Sequence, residues 1–370
     1  EISLGLVGSE MCIRDSDITG ISFEEDVLAN SYIDLNPSYD ESQNAYPIRI
    51  SVKEGTDMTS LAPIFELTPG ATISPASGSV QDFTTPVRYT VTSEDKAWHR
   101  VYAITAREQK ASNIPTTYHF EKVRIMQNVW QEFYEEQDSG NELTWASGNK
   151  GFKWAMSGAA TEDYPTTQID NGKTGKCVKL ETRLTGDLGN MVGMPIAAGN
   201  LFIGSFDMLN AITNPLSATR FGTPFYNKPL RLTGYYKYKA GEQFYENGEY
   251  TSRKDIFNIY AIFYDGVKYD SAGKGTDVTL DGNLPNQNYE HPSMVALALV
   301  SNPQETEGDE WKFFDIPFDY QRYGKKIDEA RLTKGEYKIS IIFASSKDGA
   351  TFEGAPGSTL LIDEVELIYE

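Results

Sequence analysis

The chain has 370 residues, 33 basic against 53 acidic, and a formal charge of −20. So acidic a surface repels phosphate backbones and anionic lipid headgroups, and no compact Lys/Arg cluster offsets it, which argues against nucleic acid as a partner. The longest uninterrupted apolar run, Met294–Val300, is too short to span a bilayer, and 31 Gly with 17 Pro beside 12% aromatic residues point to many short strands and turns.

The first stretch needs separate treatment. Leu6–Asp15, LVGSEMCIRD, looks like one reading frame of the transposon end and adapter used in sequencing-library preparation. It lacks the basic start, apolar run and small-residue cleavage site of a secretion signal. Residues 1–16 are therefore read as an assembly artefact and left out of fold reasoning, with room in their place for a native signal or lipid-attachment cysteine. With Cys12 set aside, Cys177 stands alone. That excludes a disulfide framework and a thiolate metal cluster, and leaves Cys177 as a small buried hydrophobe. The remaining 354 residues are too many for one ordinary core and suit two domains.

From Asp17 to Glu108 the apolar pattern has period two. Ile48, Ile50 and Val52 alternate with polar neighbours, as do Val87, Tyr89 and Val91; Phe65 and Leu67 share a face before the turn residues Pro69-Gly70 and Pro75–Gly78. Trp98, Tyr102 and Ile104 are expected to point inward. Strands at this spacing suggest a small antiparallel sandwich. The run Phe65–Ile104 resembles the Ig-like N-terminal domains that precede glycan-related modules in surface lipoproteins of gut bacteria, which implies a spacer over residues 17–108.

Residues 109–117 read as a linker, being polar, proline-bearing and without apolar period. The second domain, 118–370, has its clearest strands in Gly234–Gly241, Asp255–Gly266, Glu336–Ser346 and Ser358–Tyr369; Val129–Glu136 is a candidate helical turn.

Much chemistry is absent from the sequence. His99, His119 and His291 form no paired-histidine zinc motif, and neither a Gly-x-Ser-x-Gly elbow nor a phosphate-binding glycine loop occurs. Glycoside hydrolysis needs only two carboxylates about 5–10 Å apart, so it stays open as an enzyme alternative, with Glu132, Glu135, Glu142 and Asp255 the acids near aromatics. Each also reads as an ordinary solvated charge.

The aromatics carry the functional signal. Trp145, Asn149, Phe152 and Trp154 lie in the glycine-broken segment LTWASGNKGFKWAMSG, where a ring and an amide together suit a sugar's C–H face and hydroxyl edge. Strand alternation places Tyr236 and Tyr238 on one face and Tyr235 on the other. The tyrosines read equally well as core filling or as the wall of a groove. Trp145, Asn149, Trp154, Tyr236, Tyr238 and Asp255 are taken as the candidate binding residues, with Trp145 favoured as the functional ring.

TWASGNKGF, Ile196–Phe206, Phe221–Glu242 and Leu360–Leu367, in this order, resemble the putative carbohydrate metabolism domain (PCMD) family. That resemblance implies a jelly-roll fold like that of carbohydrate-binding modules. It carries over no catalytic residues. Many jelly-roll sugar-binding modules also open on Phe-Glu and close on Ile-Asp-x-Val, with acids that hold a structural calcium; Phe120-Glu121 and Ile362-Asp363-Glu364-Val365 match, which implies calcium at Glu121 and Asp363. No other cofactor is expected. The expectation is an all-β, exported protein of the outer-membrane surface or periplasm, in which an Ig-like spacer presents a glycan-binding jelly roll. A glycoside hydrolase and a structural or adhesion subunit are the alternatives.

Overall fold

The computed structural model describes residues 16–370 except 30, 31, 138, 139 and 141. Residues 1–15, with Cys12, lie outside the described residues. The fold is all-β, and no helix among the described residues is long and apolar enough to cross a membrane. The chain divides into two compact units, one ending at Ala111 and the other running Ser112–Tyr369.

The first unit contains β1 (Ile18–Ser22), β2 (Tyr46–Lys53), β3 (Ile64–Leu67), β4 (Thr72–Ser74), β5 (Val87–Thr92) and β6 (His99–Gln109). One sheet has the order β2-β6-β5-β4, and β1 pairs β3. The alternating residues Ile48, Ile50, Val52, Tyr89, Val91, Tyr102 and Ile104 form its core. Two expectations change. β2 and β6 run parallel, so the sheet is mixed rather than antiparallel; short-range alternation specifies a strand's face but not its partner's direction. Trp98 is 42% exposed, not inward, because β6 begins only at His99 and alternation has no hold on the turn before it. β6 also continues to Gln109, one residue into the expected linker.

The second unit is built on β7 (Thr117–Tyr118), β8 (Val123–Met126), β9 (Trp130–Glu136), β10 (Glu142–Thr144), β11 (Thr166–Ile169), β12 (Cys177–Glu181), β13 (Asn200–Phe202), β14 (Thr223–Pro224), β15 (Pro229–Lys239), β16 (Asn258–Asp265), β17 (Met294–Leu299), β18 (Lys312–Pro317), β19 (Tyr337–Ala344) and β20 (Thr359–Tyr369). One sheet has the order β11-β12-β20-β15-β18, with β7 on β20; the other has the order β13-β19-β16-β17, with β14 on β19. Val129–Glu136 is not helical: Trp130–Glu136 is β9, paired on both sides by β8 and β10. Phe133 and Glu135 are buried two apart, and Trp130 is buried in a separate cluster with Phe152 and Tyr164, so packing outweighs local helix propensity.

The two sheets enclose one core, to which Leu232, Tyr236, Tyr238, Leu360, Ile362 and Leu367 contribute from the first and Ile259, Ala261, Phe263, Ile339, Ile341 and Phe343 from the second. The second sheet is also covered outside, where Tyr260, Ile262, Tyr264 and Ile342 join Phe202, Phe221, Leu280, Leu284 and Tyr289 in a separate cluster. This is why Asn258–Tyr264 and Met294–Ala298 are buried at every position and read as continuous apolar runs.

Trp145 is in the core, 1% exposed, and not on a platform. Its ring meets Tyr118 at 5.0 Å, Phe120 at 5.6 Å and Phe343 at 6.0 Å between centroids. Its Nε1 is buried without a hydrogen-bond partner among the described residues. Tyr236 and Tyr238 are core residues too, both packed on Phe257 at 4.8 Å. The physical reason is area: a large ring one residue beyond a strand end gains more from interior contacts than a solvent-facing position offers. Replacing Trp145 with Ala should cost about 3–5 kcal/mol of unfolding free energy, and with Phe clearly less. Urea denaturation checks this, and a loss below about 1 kcal/mol would show that the ring is not buried in solution.

Candidate functional site

A cavity of about 180 Å³ opens over the outer face of the second sheet, where its covering layer stops short of the Asn200, Asn258 and Ala344 ends of three strands. Its floor is formed by Phe202, Tyr260, Ile342 and Ala344. Three short helices contribute walls: α1 (Asn149–Ala155) brings Phe152 and Trp154, α2 (Gly186–Met191) brings Gly189, and α3 (Met208–Thr213) brings Met208 and Ala211. Phe206, Phe221 and Phe352 complete the aromatic lining. Phe202 and Phe221 meet edge to face at 5.3 Å, which fixes that part of the floor.

Trp154 is the one expected binding residue that lines this cavity as a partly open ring, at 38% exposure. Its side chain lies two residues beyond Phe152, which turns inward onto Tyr164 at 5.3 Å. Asn149 is fully buried and pairs with a backbone instead of facing a ligand: its Nδ2 donates to the Thr166 carbonyl at 2.7 Å, and its Oδ1 accepts from the Thr166 amide at 3.1 Å. That two-bond pairing ties α1 to β11. Asn200 replaces it in the cavity wall, placed there by Gly199, where a Cβ would stand 2.3 Å from the Glu181 amide nitrogen and 2.4 Å from the Pro165 carbonyl oxygen.

Asp255 is 2% exposed and is likewise structural. Its Oδ2 accepts from Ser346 Oγ at 2.6 Å, Ser358 Oγ at 2.7 Å and the Ala355 amide at 2.7 Å. Burial pushes its carboxyl up, while these donors oppose the shift. One carboxylate thus anchors three points of the 346–358 loop.

The other acids weighed for hydrolysis lie elsewhere. Glu135 is buried and accepts from the Phe120 amide at 2.7 Å; Glu142 pairs with Arg124; Glu132 is on β9 opposite Arg124. Among the described residues that line the cavity there is no Asp, Glu, His or Cys.

Glu121 and Asp363 converge on one loop. Glu121 Oε1 accepts from the Lys176 amide at 2.8 Å, and Asp363 Oδ2 accepts from the Thr174 amide at 3.0 Å. A β-bulge places Asp363: the register of β20 on β15 shifts there, with Glu364 at φ 47°, so Ile362 and Val365 both face the core. Asp363 is 0% exposed, and burial pushes its carboxyl up to about 6. Backbone amides of the 174–176 loop thus serve both carboxylates, one buried and one exposed. Among the described residues no group of three acidic, His or Cys side chains joins them, so most of calcium's six to eight oxygens would have to come from backbone carbonyls and water.

Comparison with known proteins places the chain. The family model described as "Putative carbohydrate metabolism domain" matches residues 119–368. The chain belongs to the PCMD family. A second model, described as "SGBP, N-terminal", matches residues 34–106 of this PCMD protein. A crystal structure of "a putative glycoside hydrolase" from Bacteroides thetaiotaomicron VPI-5482 is 44% identical, with 96% of this chain and 97% of that one covered and a TM-score of 0.62. Another of the same description, from Bacteroides vulgatus ATCC 8482, is 50% identical over 70% of this chain and 100% of that one, with a TM-score of 0.65. None of the curated proteins matches the PCMD chain.

The strand pattern of Asp255–Gly266 held a clue that residue types alone did not reveal. Asn258 is an amide at the start of an otherwise apolar strand; its Nδ2 donates to the Tyr289 hydroxyl at 2.9 Å and its side chain lines the cavity. Replacing Asp255 with Asn puts an NH2 group among three donors and should lower stability by about 2–4 kcal/mol. Chemical denaturation reads this, and an unchanged midpoint would refute the anchoring role.

Proposed function

We propose that this PCMD protein binds glycan at the aromatic cavity of its second unit, as an exported protein of the outer-membrane surface or periplasm. The observation that carries the proposal is the partly exposed Trp154 ring lining a largely apolar cavity that also holds Phe152, Phe202, Phe206, Phe221, Tyr260 and Phe352. A pyranose presents C–H groups on one face, and a partly exposed indole offers them a flat, polarisable partner at little entropic cost. Affinity is expected to be modest, because such platforms bury little area. Trp154→Ala should weaken retention on a responsive glycan roughly five- to tenfold without shifting the unfolding midpoint. A glycan array followed by affinity electrophoresis checks this, and retention unchanged by the substitution would count against the site.

Glycoside hydrolysis is the second reading, favoured by the description that both crystal-structure relatives carry. Two carboxylates facing each other across the sugar are its requirement, and the cavity lining supplies none among the described residues. Reducing-sugar release from polysaccharide, lost on an Asp or Glu substitution, would favour it.

Calcium at Glu121 and Asp363 is a further part of the proposal, supported by their convergence on the 174–176 loop and by the depth of Asp363. Calcium supplies positive charge that stabilises the buried carboxylate. Millimolar calcium should raise the unfolding temperature, chelation should reverse the shift, and Asp363→Asn should abolish it; equal melting with and without the ion would end this part.

A further inference from the structure

The polar groups of the cavity are mostly committed already. Asn200 Oδ1 accepts from the Gly148 amide at 2.8 Å, and its Nδ2 donates to the Ala198 carbonyl at 3.3 Å. Ser346 Oγ is bonded to Asp255 and to Thr182 Oγ1, and Thr185 Oγ1 donates to the Met194 carbonyl. What remains toward the cavity is the amide oxygen of Asn258 and the exposed Lys347; Thr219 lines it too, but its hydroxyl is sealed from solvent. A bare pyranose enclosed here would bury several hydroxyls against apolar walls. Each one left unpaired costs about 1–3 kcal/mol, which together outweighs what stacking returns.

Size and surroundings point the same way. About 180 Å³ is comparable to apolar protein cavities of roughly 150 Å³ that take up benzene. The helices that line the cavity also expose apolar side chains: Met191 is 82% exposed and Leu209 83%, and Leu188 is exposed too, while the exposed Val192 lines the cavity itself. A largely apolar lining with few uncommitted polar groups suits a single apolar group joined through one polar link.

We propose that the cavity takes an apolar substituent of the glycan, an aryl or acyl group joined through an ester or glycosidic oxygen, with the sugar itself held outside at Trp154. This rests on the glycan-binding proposal and names which part of the ligand enters. Aromatic esters on plant polysaccharide and alkyl chains on glycolipid share this chemistry, and the probes separate them.

The test measures binding of the full chain by calorimetry to feruloylated arabinoxylan oligosaccharides, the same oligosaccharides after saponification, ethyl ferulate, and octyl glucoside below its micelle threshold. An esterified or alkyl probe is expected to bind about tenfold or more tighter than the saponified sugar. Ala211→Phe, which fills the cavity from α3, should abolish that preference, and circular dichroism and the unfolding midpoint confirm that the variant folds. Preference for ethyl ferulate and the feruloylated chain assigns an aromatic ester; preference for octyl glucoside assigns an alkyl chain. Equal binding before and after saponification, with no binding of octyl glucoside, would overturn the substituent while leaving glycan binding intact. Binding of ethyl ferulate with no binding of any saccharide would uphold the cavity's chemistry and refute the glycan proposal. No binding of any probe, or a preference that survives Ala211→Phe, would overturn the inference.

Discussion

The second unit depends on one sheet being buried on both faces. In β16 and β19, odd-numbered Ile259, Ala261, Phe263, Ile339, Ile341 and Phe343 pack into the space between sheets, while even-numbered Tyr260, Ile262, Tyr264 and Ile342 pack beneath an outer layer of loops and short helices. An antiparallel sheet more often leaves one face to water. Covering the second face requires long insertions, and the cavity is the place where those insertions, contributed by α1, α2 and α3, fail to close over the strand ends. The candidate site is thus a consequence of how the outer layer is assembled.

Buried polar groups hold that layer in position. Asp255 gathers Ser346, Ala355 and Ser358; Asn149 clasps Thr166; and Asn200 holds Gly148. Each is a side chain satisfying backbone or hydroxyl donors in segments that lack regular pairing, which is where unsatisfied groups would be most costly. The same economy shapes the cavity. Once its amides and hydroxyls serve the scaffold, little polarity is left for a ligand, and the chemistry it can recognise shifts toward apolar groups.

No Asp or Glu is among the described residues lining the cavity, although Asp255 bonds its lining residue Ser346 and Asp348 follows Lys347 in the chain. Charged pairs such as Arg124 with Glu142, Arg253 with Glu246 and Asp348, and Arg331 with Asp265 and Glu336 lie among surface segments. The more exposed Arg124–Glu142 pair adds little to stability, whereas the half-buried Arg331 holds Asp265 through two bonds. Among the described residues that line the cavity, Lys347 is the cationic side chain and no carboxylate is present, within a strongly negative protein.

By itself the sequence determined the all-β class, the division near residue 110, the four longest strands of the second unit and the PCMD resemblance, because period-two patterning, turn residues and family motifs are local in the chain. It also put Trp154 among six candidate binding residues, while favouring Trp145. It could not separate Trp154 from Trp145, nine residues earlier in the same glycine-broken segment, since a ring's value as core or as platform depends on what the fold brings against it. Tyr118, Phe120 and Phe343 enclose Trp145, whereas Trp154 is left at an edge. Asn149, Tyr236, Tyr238 and Asp255 were drawn inward for the same reason, and Phe202, Phe221, Tyr260 and Asn258 reached the cavity because strands distant in sequence became neighbours. Partner direction in the first unit, the strand at Trp130–Glu136 and the composition of the cavity wall were decided by tertiary structure alone, because burial is a property of pairs of segments that composition and spacing do not encode.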